Sequence, residues 1–145
     1  MKNMKRTGSI PEWIEEMTSL HLLDLDHNDL TGEIPSAITK LSGIKFLLLN
    51  RNPSLGGLLP SGLSDMKNLK LLLLDNTAIT NHADDLCDVV ADCSLDCPCC
   101  TSCCSVEDDD CNEDALIASY GPIYEGRRFF RDEYHFFEGS KPIQG

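Results

Sequence analysis

The chain has 145 residues, with 12 Lys and Arg against 24 Asp and Glu, for a net charge of −12. This length favours one domain, and an apolar content of 41% is too high for a wholly disordered chain. The acidity argues against nucleic-acid binding, which needs a basic face for phosphate, and no apolar run approaches the roughly 18 residues of a membrane span.

The N-terminal order Met1-Lys2-Asn3-Met4-Lys5-Arg6 is basic, but no apolar stretch comes after it, so it is not a secretory signal. From there the chain repeats. Ile10-Pro11, Ile34-Pro35 and Leu59-Pro60 lie 24 and 25 residues apart, and Gly8, Gly32 and Gly57 each stand two residues before the apolar member of its dipeptide. The leucines fall into register with this ruler. One copy runs Leu20, Leu23, Leu25, Asn28, Leu30, Gly32, Ile34, Pro35. The next runs Ile44, Leu47, Leu49, Asn52, Leu55, Gly57, Leu59, Pro60, with one extra residue around Pro53-Ser54. The third runs Leu69, Leu72, Leu74, Thr77, Ile79 and then dissolves.

Each position has a physical reason. Leu23, Leu47 and Leu72 are each two residues before Leu25, Leu49 and Leu74, so each pair points to one face of a short strand. Stacked in parallel, those strands bury that face as one continuous core, which a single repeat cannot do alone. Asn28 and Asn52 come just after the strands, where an amide side chain can satisfy turn backbone. Gly32 and Gly57 permit unusual backbone angles, and Pro35 and Pro60 set an extended turn on the far side.

The pattern L-x-x-L-x-L-x-x-N-x-L-x-G-x-I-P resembles the plant-type leucine-rich repeat over roughly residues 7–86. The resemblance implies an α/β-type solenoid, a short stack with a parallel β-sheet on its concave face, and a ladder formed by the Asn side chains. In that family partners bind the concave face. The strand positions that alternate with the core leucines are the candidates: His21, Leu22, Asp24, Asp26 and His27; Lys45, Phe46, Leu48, Asn50 and Arg51; Lys70, Leu71, Leu73, Asp75 and Asn76. Leu22, Phe46 and Leu71 fit plain packing beside the core. Leu48 and Leu73 are expected to be exposed, either as an interaction patch or as incidental surface, since Asp24 shows that their column tolerates charge. The ligand-binding set is therefore His21, Asp24, Asp26, His27, Lys45, Leu48, Asn50, Arg51, Lys70, Leu73, Asp75 and Asn76. Its charges are mixed and select no ligand. His21 and His27 need not converge on a metal. No nucleophile elbow, phosphate loop or metalloprotease helix occurs, so neither an enzyme nor a cofactor is expected.

Residues 87–111 have a different logic. The first 86 residues hold 19 of the 21 Leu and no Cys, whereas Cys87, Cys93, Cys97, Cys99, Cys100, Cys103, Cys104 and Cys111 all fall in this block. One reading is a disulfide-bonded cap over the last coil, whose apolar end would otherwise meet water. Eight Cys allow 105 pairings, and the sequence does not choose among them. The competing reading is a thiolate metal site, for which Cys100-x2-Cys103 has ligand spacing but a second separated pair is absent. The run Ala91-Asp92-Cys93, then Cys97-Pro98-Cys99-Cys100-Thr101-Ser102-Cys103-Cys104, resembles the ending of a diatom-type leucine-rich repeat group. That likeness implies structural cap cysteines, with Cys111 outside the matched string.

Residues 84–114 hold eleven Asp and Glu and no Lys or Arg. Glu107-Asp108-Asp109-Asp110 lacks the ordering of a calcium loop and reads as a solvated linker, with weak divalent-ion binding as the lesser alternative. Seven of the nine aromatics then crowd into residues 120–137. If 127–137 is helical, Phe130, Tyr134 and Phe137 share a face, as a docking tail or a membrane-surface helix.

The sequence divides into three: repeats at 1–86, a Cys-rich cap at 87–111 and an acidic, aromatic tail at 112–145. The first coil starts in mid-repeat, so the chain reads as the C-terminal part of a longer repeat protein. The expected function is non-enzymatic recognition of a protein, peptide or glycan on the concave sheet, at the cell surface or outside it. The alternatives are a thiolate metal-binding protein and a purely structural surface protein. Neither a nucleic-acid partner nor a membrane span within this chain is expected.

Overall fold

The computed structural model describes residues 5–74, 76–80, 90–92 and 102–104, the last two stretches as strands without their side chains. These residues fall within one compact unit, Met1–Asp108. In chain order the strands are β1 (Thr7–Gly8), β2 (Leu22–Asp24), β3 (Asp29–Glu33), β4 (Phe46–Leu48), β5 (Asn52–Gly57), β6 (Leu71–Leu73), β7 (Thr77–Ile79), β8 (Val90–Asp92) and β9 (Ser102–Cys104). Short 3-10 turns at Glu12–Glu16, Ser36–Lys40 and Ser61–Asp65 separate them.

The strands form two parallel sheets that the repeat period threads alternately. One has the order β2-β4-β6-β8-β9, the other β1-β3-β5-β7. In the first, Leu22 pairs with Phe46, Leu23 with Leu47 and Asp24 with Leu48. Phe46, Leu47 and Leu48 then pair with Leu71, Leu72 and Leu73. The second sheet is not written in the leucine pattern. It arises because each coil turns after its Asn and runs extended again to its Gly.

The glycines and prolines set the far side of each coil. Gly8, Gly32 and Gly57 have φ of 89°, 77° and 76°, the left-handed region that only glycine enters without steric cost. Pro11, Pro35 and Pro60 then sit extended, at φ −78°, −69° and −60°, just before the three 3-10 turns. The ring fixes φ and the missing N–H is not needed there. The extra residue of the second copy also has a structural address: the β5–β7 register shifts between Asn52 and Gly56.

The core lies between the two sheets and the row of 3-10 turns. Leu23, Leu25, Leu47, Leu49, Leu72 and Leu74 belong to one buried cluster with Ile14, Ile38, Leu41, Ile44, Leu55, Leu63 and Met66. Ile38, Leu41, Ile44, Leu47, Leu49 and Leu55 have no exposed area. The Asn ladder closes the ends of the short strands. Asn52 Nδ2 donates to the carbonyls of Leu49 at 2.8 Å, Leu25 at 3.0 Å and Asn50 at 3.2 Å, and its Oδ1 accepts the Leu30 N–H at 3.2 Å. Asn28 donates to the Leu25 and Asp26 carbonyls and accepts the Arg6 N–H at 3.0 Å. Thr77, which replaces the third Asn, keeps one such bond, from Oγ1 to the Leu74 carbonyl at 2.7 Å.

The first sheet continues past the point where the leucine pattern dissolves. β8 pairs with β6, Leu71 opposite Val90, and β9 pairs with β8, Val90 opposite Ser102. The offsets between partners shrink from 24 or 25 residues to 19 and then 12. Cys103 and Cys104 lie on β9. The other six cysteines, the acidic run Glu107–Asp110 and the aromatic segment at 120–137 lie outside the described residues. So do the questions of disulfide or metal chemistry attached to them. Among the described residues no helix is long and apolar enough to cross a membrane.

Candidate functional site

The face of the β2-β4-β6 sheet turned away from the core is a lattice of columns. Parallel strands stack about 4.8 Å apart, so residues at one repeat position line up across coils. His21, Lys45 and Lys70 form the first column, tied by backbone bonds from the Lys45 N–H to the His21 carbonyl and from the Lys70 N–H to the Lys45 carbonyl, both 2.8 Å. Next come Leu22, Phe46 and Leu71, then Asp24, Leu48 and Leu73. Backbone ladder bonds carry the register further, from the Leu25 N–H to the Leu48 carbonyl and from the His27 N–H to the Asn50 carbonyl. Asp26 therefore stands beside Asn50, and His27 beside Arg51. Asn76 occupies the corresponding place in the third coil, and Asp75 lies outside the described residues.

The polar groups of this face sit at its two ends. His21 is exposed, and Lys45 and Lys70 are half-buried. At the other end Arg51 holds Asp26 in a bidentate ion pair, Nε donating to Oδ1 at 2.7 Å and Nη2 to Oδ2. Asp26 is completely buried, whereas the Arg51 side chain is 36% exposed. The planar guanidinium matches both carboxylate oxygens at once, the geometry that gives such pairs their strength. Asp24 supports the same corner by accepting the Asp26 N–H at 3.2 Å.

The structure corrects the expected exposure of Leu48 and Leu73. They are 0% and 5% exposed, and Phe46 and Leu71 are both at 0%. None of these four belongs to the main core cluster. Register puts Phe46 opposite Leu71 and Leu48 opposite Leu73. Register thus gathers four large apolar side chains on one patch of the sheet, outside the main core cluster and buried rather than exposed. Asp26 and Asn50 are buried as well, so the accessible polar groups are His21, His27, Lys45, Lys70, Arg51, Asn76 and, in part, Asp24.

Two features of the site are not evident from the sequence. His27, Arg51 and Asn76 all adopt left-handed backbone, with φ of 54°, 56° and 52°. This conformation costs a non-glycine residue about 1–2 kcal/mol, least for Asn. The repeat ruler marks the column, but nothing in the residue types at 27 and 51 signals such a turn. The second feature is the state of Asn50. Its Oδ1 is buried and has no hydrogen-bond partner, a defect worth about 1–3 kcal/mol.

No family model matches the chain. Curated relatives from Arabidopsis thaliana do. Receptor protein-tyrosine kinase CEPR1 is 40% identical over 75 residues, 51% of this chain and 8% of that protein. A probable LRR receptor-like serine/threonine-protein kinase is 46% identical over 68 residues, 46% of this chain and 6% of that protein. The chain is similar to plant leucine-rich repeat receptor proteins. Receptor-like protein 35, at 41% identity over 58 residues, extends the likeness, again over only 6% of the relative. The chain thus spans less than a tenth of the curated relatives it matches.

Solved structures agree on the leucine-rich repeat fold. The peptide hormone receptor RGFR1 in complex with RGF2 superposes with a TM-score of 0.56 at 21% identity, over 66% of this chain and 15% of that one. The ectodomain of the Arabidopsis receptor kinase GASSHO1/SCHENGEN3, in complex with CASPARIAN STRIP INTEGRITY FACTOR 2, superposes with a TM-score of 0.54 at 27% identity, over 66% and 11%. The parallel pairing of successive copies is the same repeat architecture that the leucine pattern predicts.

Proposed function

We propose that the chain is a recognition module that binds a protein or peptide segment on the β2-β4-β6 face, as part of a receptor-like or secreted repeat protein acting at or outside the cell surface. The observation that carries this reading is the lattice itself. Repeat register brings side chains 24 or 25 residues apart in sequence into columns on one sheet, so that accessible groups of successive coils stand side by side for a ligand that spans the coils. Its accessible groups are positioned donors and cations: Lys45, Lys70, Arg51 and His27. The solved GASSHO1/SCHENGEN3 ectodomain was crystallised with CASPARIAN STRIP INTEGRITY FACTOR 2, which supports a protein or peptide over a glycan. The ligand would bind at the two polar ends of the lattice and cross the apolar patch between them.

A panning experiment tests this. A phage-displayed library of linear twelve-residue peptides, selected on the whole chain, should yield binders. Those binders should lose about tenfold or more in affinity, the equivalent of roughly 1.4 kcal/mol, against Lys45→Glu/Lys70→Glu. Circular dichroism of the variant should be unchanged, because both side chains lie at the surface end of the lattice. Unaltered binding to the charge-reversed face would sink the proposal.

A further inference from the structure

Asn50 is 4% exposed, and its Oδ1 is the one buried side-chain nitrogen or oxygen without a hydrogen-bond partner among the described residues. The reason lies in the neighbours. Across the coil stands Asp26, whose carboxylate is itself an acceptor. The guanidinium of Arg51, the next residue in the chain, donates to that carboxylate through Nε and Nη2. The Asn50 backbone is satisfied, its carbonyl accepting the His27 N–H at 3.1 Å and Asn52 Nδ2 at 3.2 Å. Only the side-chain acceptor is left over. A leucine would fill the place at no such cost, and Leu48 and Leu49 immediately before it are completely buried leucines.

We propose that Asn50 is the residue that sets the register of a bound peptide, its Oδ1 accepting a main-chain N–H from an extended segment laid across the face. This deepens the peptide-binding reading above and rests on it. An extended peptide presents an N–H on one side at every second residue, roughly 6.8 Å apart. A single fixed acceptor at the end of the apolar patch therefore selects one alignment of the ligand. The left-handed turn at Arg51 ends the strand direction directly after Asn50, so the buried amide stands at the last position before the chain turns.

The substitution Asn50→Leu separates the possibilities. Thermal unfolding monitored by circular dichroism reads its stability. Binding of a twelve-residue peptide selected on the wild-type chain reads its function. The expected result is a melting midpoint equal to or above wild type, with affinity for that peptide reduced at least tenfold. A lower midpoint, or failure to fold, would mean that Asn50 has a structural partner and overturns the inference. An unchanged midpoint with unchanged affinity overturns it too. In that case the Lys45→Glu/Lys70→Glu comparison tells the two claims apart: a peptide still sensitive to charge reversal leaves the binding face standing and removes Asn50 from it. A library that yields no binder overturns both.

Discussion

Asn28 and Asn52 stand where the short strands end and the chain must turn inside the stack. Asn52 serves two coils at once, reaching the Leu25 carbonyl in the preceding coil as well as Leu49 in its own. Removing it strands the Leu30 N–H in a buried place, so Asn52→Leu should cost about 2–3 kcal/mol in a urea titration. His27 presents the opposite case. It is exposed, yet its backbone sits at φ 54°. His27→Asn places a residue that tolerates this conformation and should raise stability by about 0.5–1 kcal/mol in the same titration. The ladder is legible in the sequence because Asn at a fixed place after a leucine pair has one evident task. The left-handed column is not, because histidine and arginine carry no mark of the angle their repeat position demands. The burial of Leu48 escapes the sequence for a related reason: alternation says which way a side chain points, not what surrounds it.

Elements are placed in this protein by what punctuates them. The prolines each precede a 3-10 turn, and the glycines each supply the left-handed step that lets a coil leave the second sheet. A Cβ at Gly57 would meet the Glu33 side chain at 2.5 Å, with φ at 76° besides. The Glu33 end can swing away, but the backbone angle cannot relax. Gly57→Ala should therefore lower stability by about 1–2 kcal/mol, and Gly43→Ala, at an ordinary angle with the nearest atom 3.4 Å away, by clearly less. The second sheet itself is hidden from the leucine pattern. Its strands are held by backbone pairing in segments such as Asp29–Glu33, where only Leu30 is buried. Periodicity detects buried faces, and this sheet buries little of its own. The strands at Val90–Asp92 and Ser102–Cys104 escape it because their offsets, 19 and 12 residues, leave the 24-residue ruler.

Across the molecule, charge and chemistry are divided by region. Residues 1–86 carry 8 Lys and Arg against 11 Asp and Glu, so most of the net charge of −12 belongs to residues 87–145. The acidity of the composition consequently says little about the β2-β4-β6 face proposed for binding, whose accessible groups are mixed and lean towards donors. That face is held by the Asp26–Arg51 pair as well as by the strands. Arg51→Ala leaves the buried carboxylate of Asp26 without its guanidinium and should cost about 2–3 kcal/mol, measurable as an earlier denaturation midpoint with an unchanged slope. Charge reversal at Arg51 is for this reason a poor probe of binding, and Lys45 and Lys70 are better ones. The repeat fold and the columns are readable in the sequence, since both come from spacing alone. The functional ranking within the columns depends on burial and pairing, which spacing does not carry. The most direct test of the account is amide hydrogen exchange on the whole chain with and without a twelve-residue peptide selected on it. Protection confined to the segments 45–51 and 70–74, with the 3-10 turns Ser36–Lys40 and Ser61–Asp65 unaffected, is the predicted result. Protection at those turns with none on the β4 and β6 segments would contradict it.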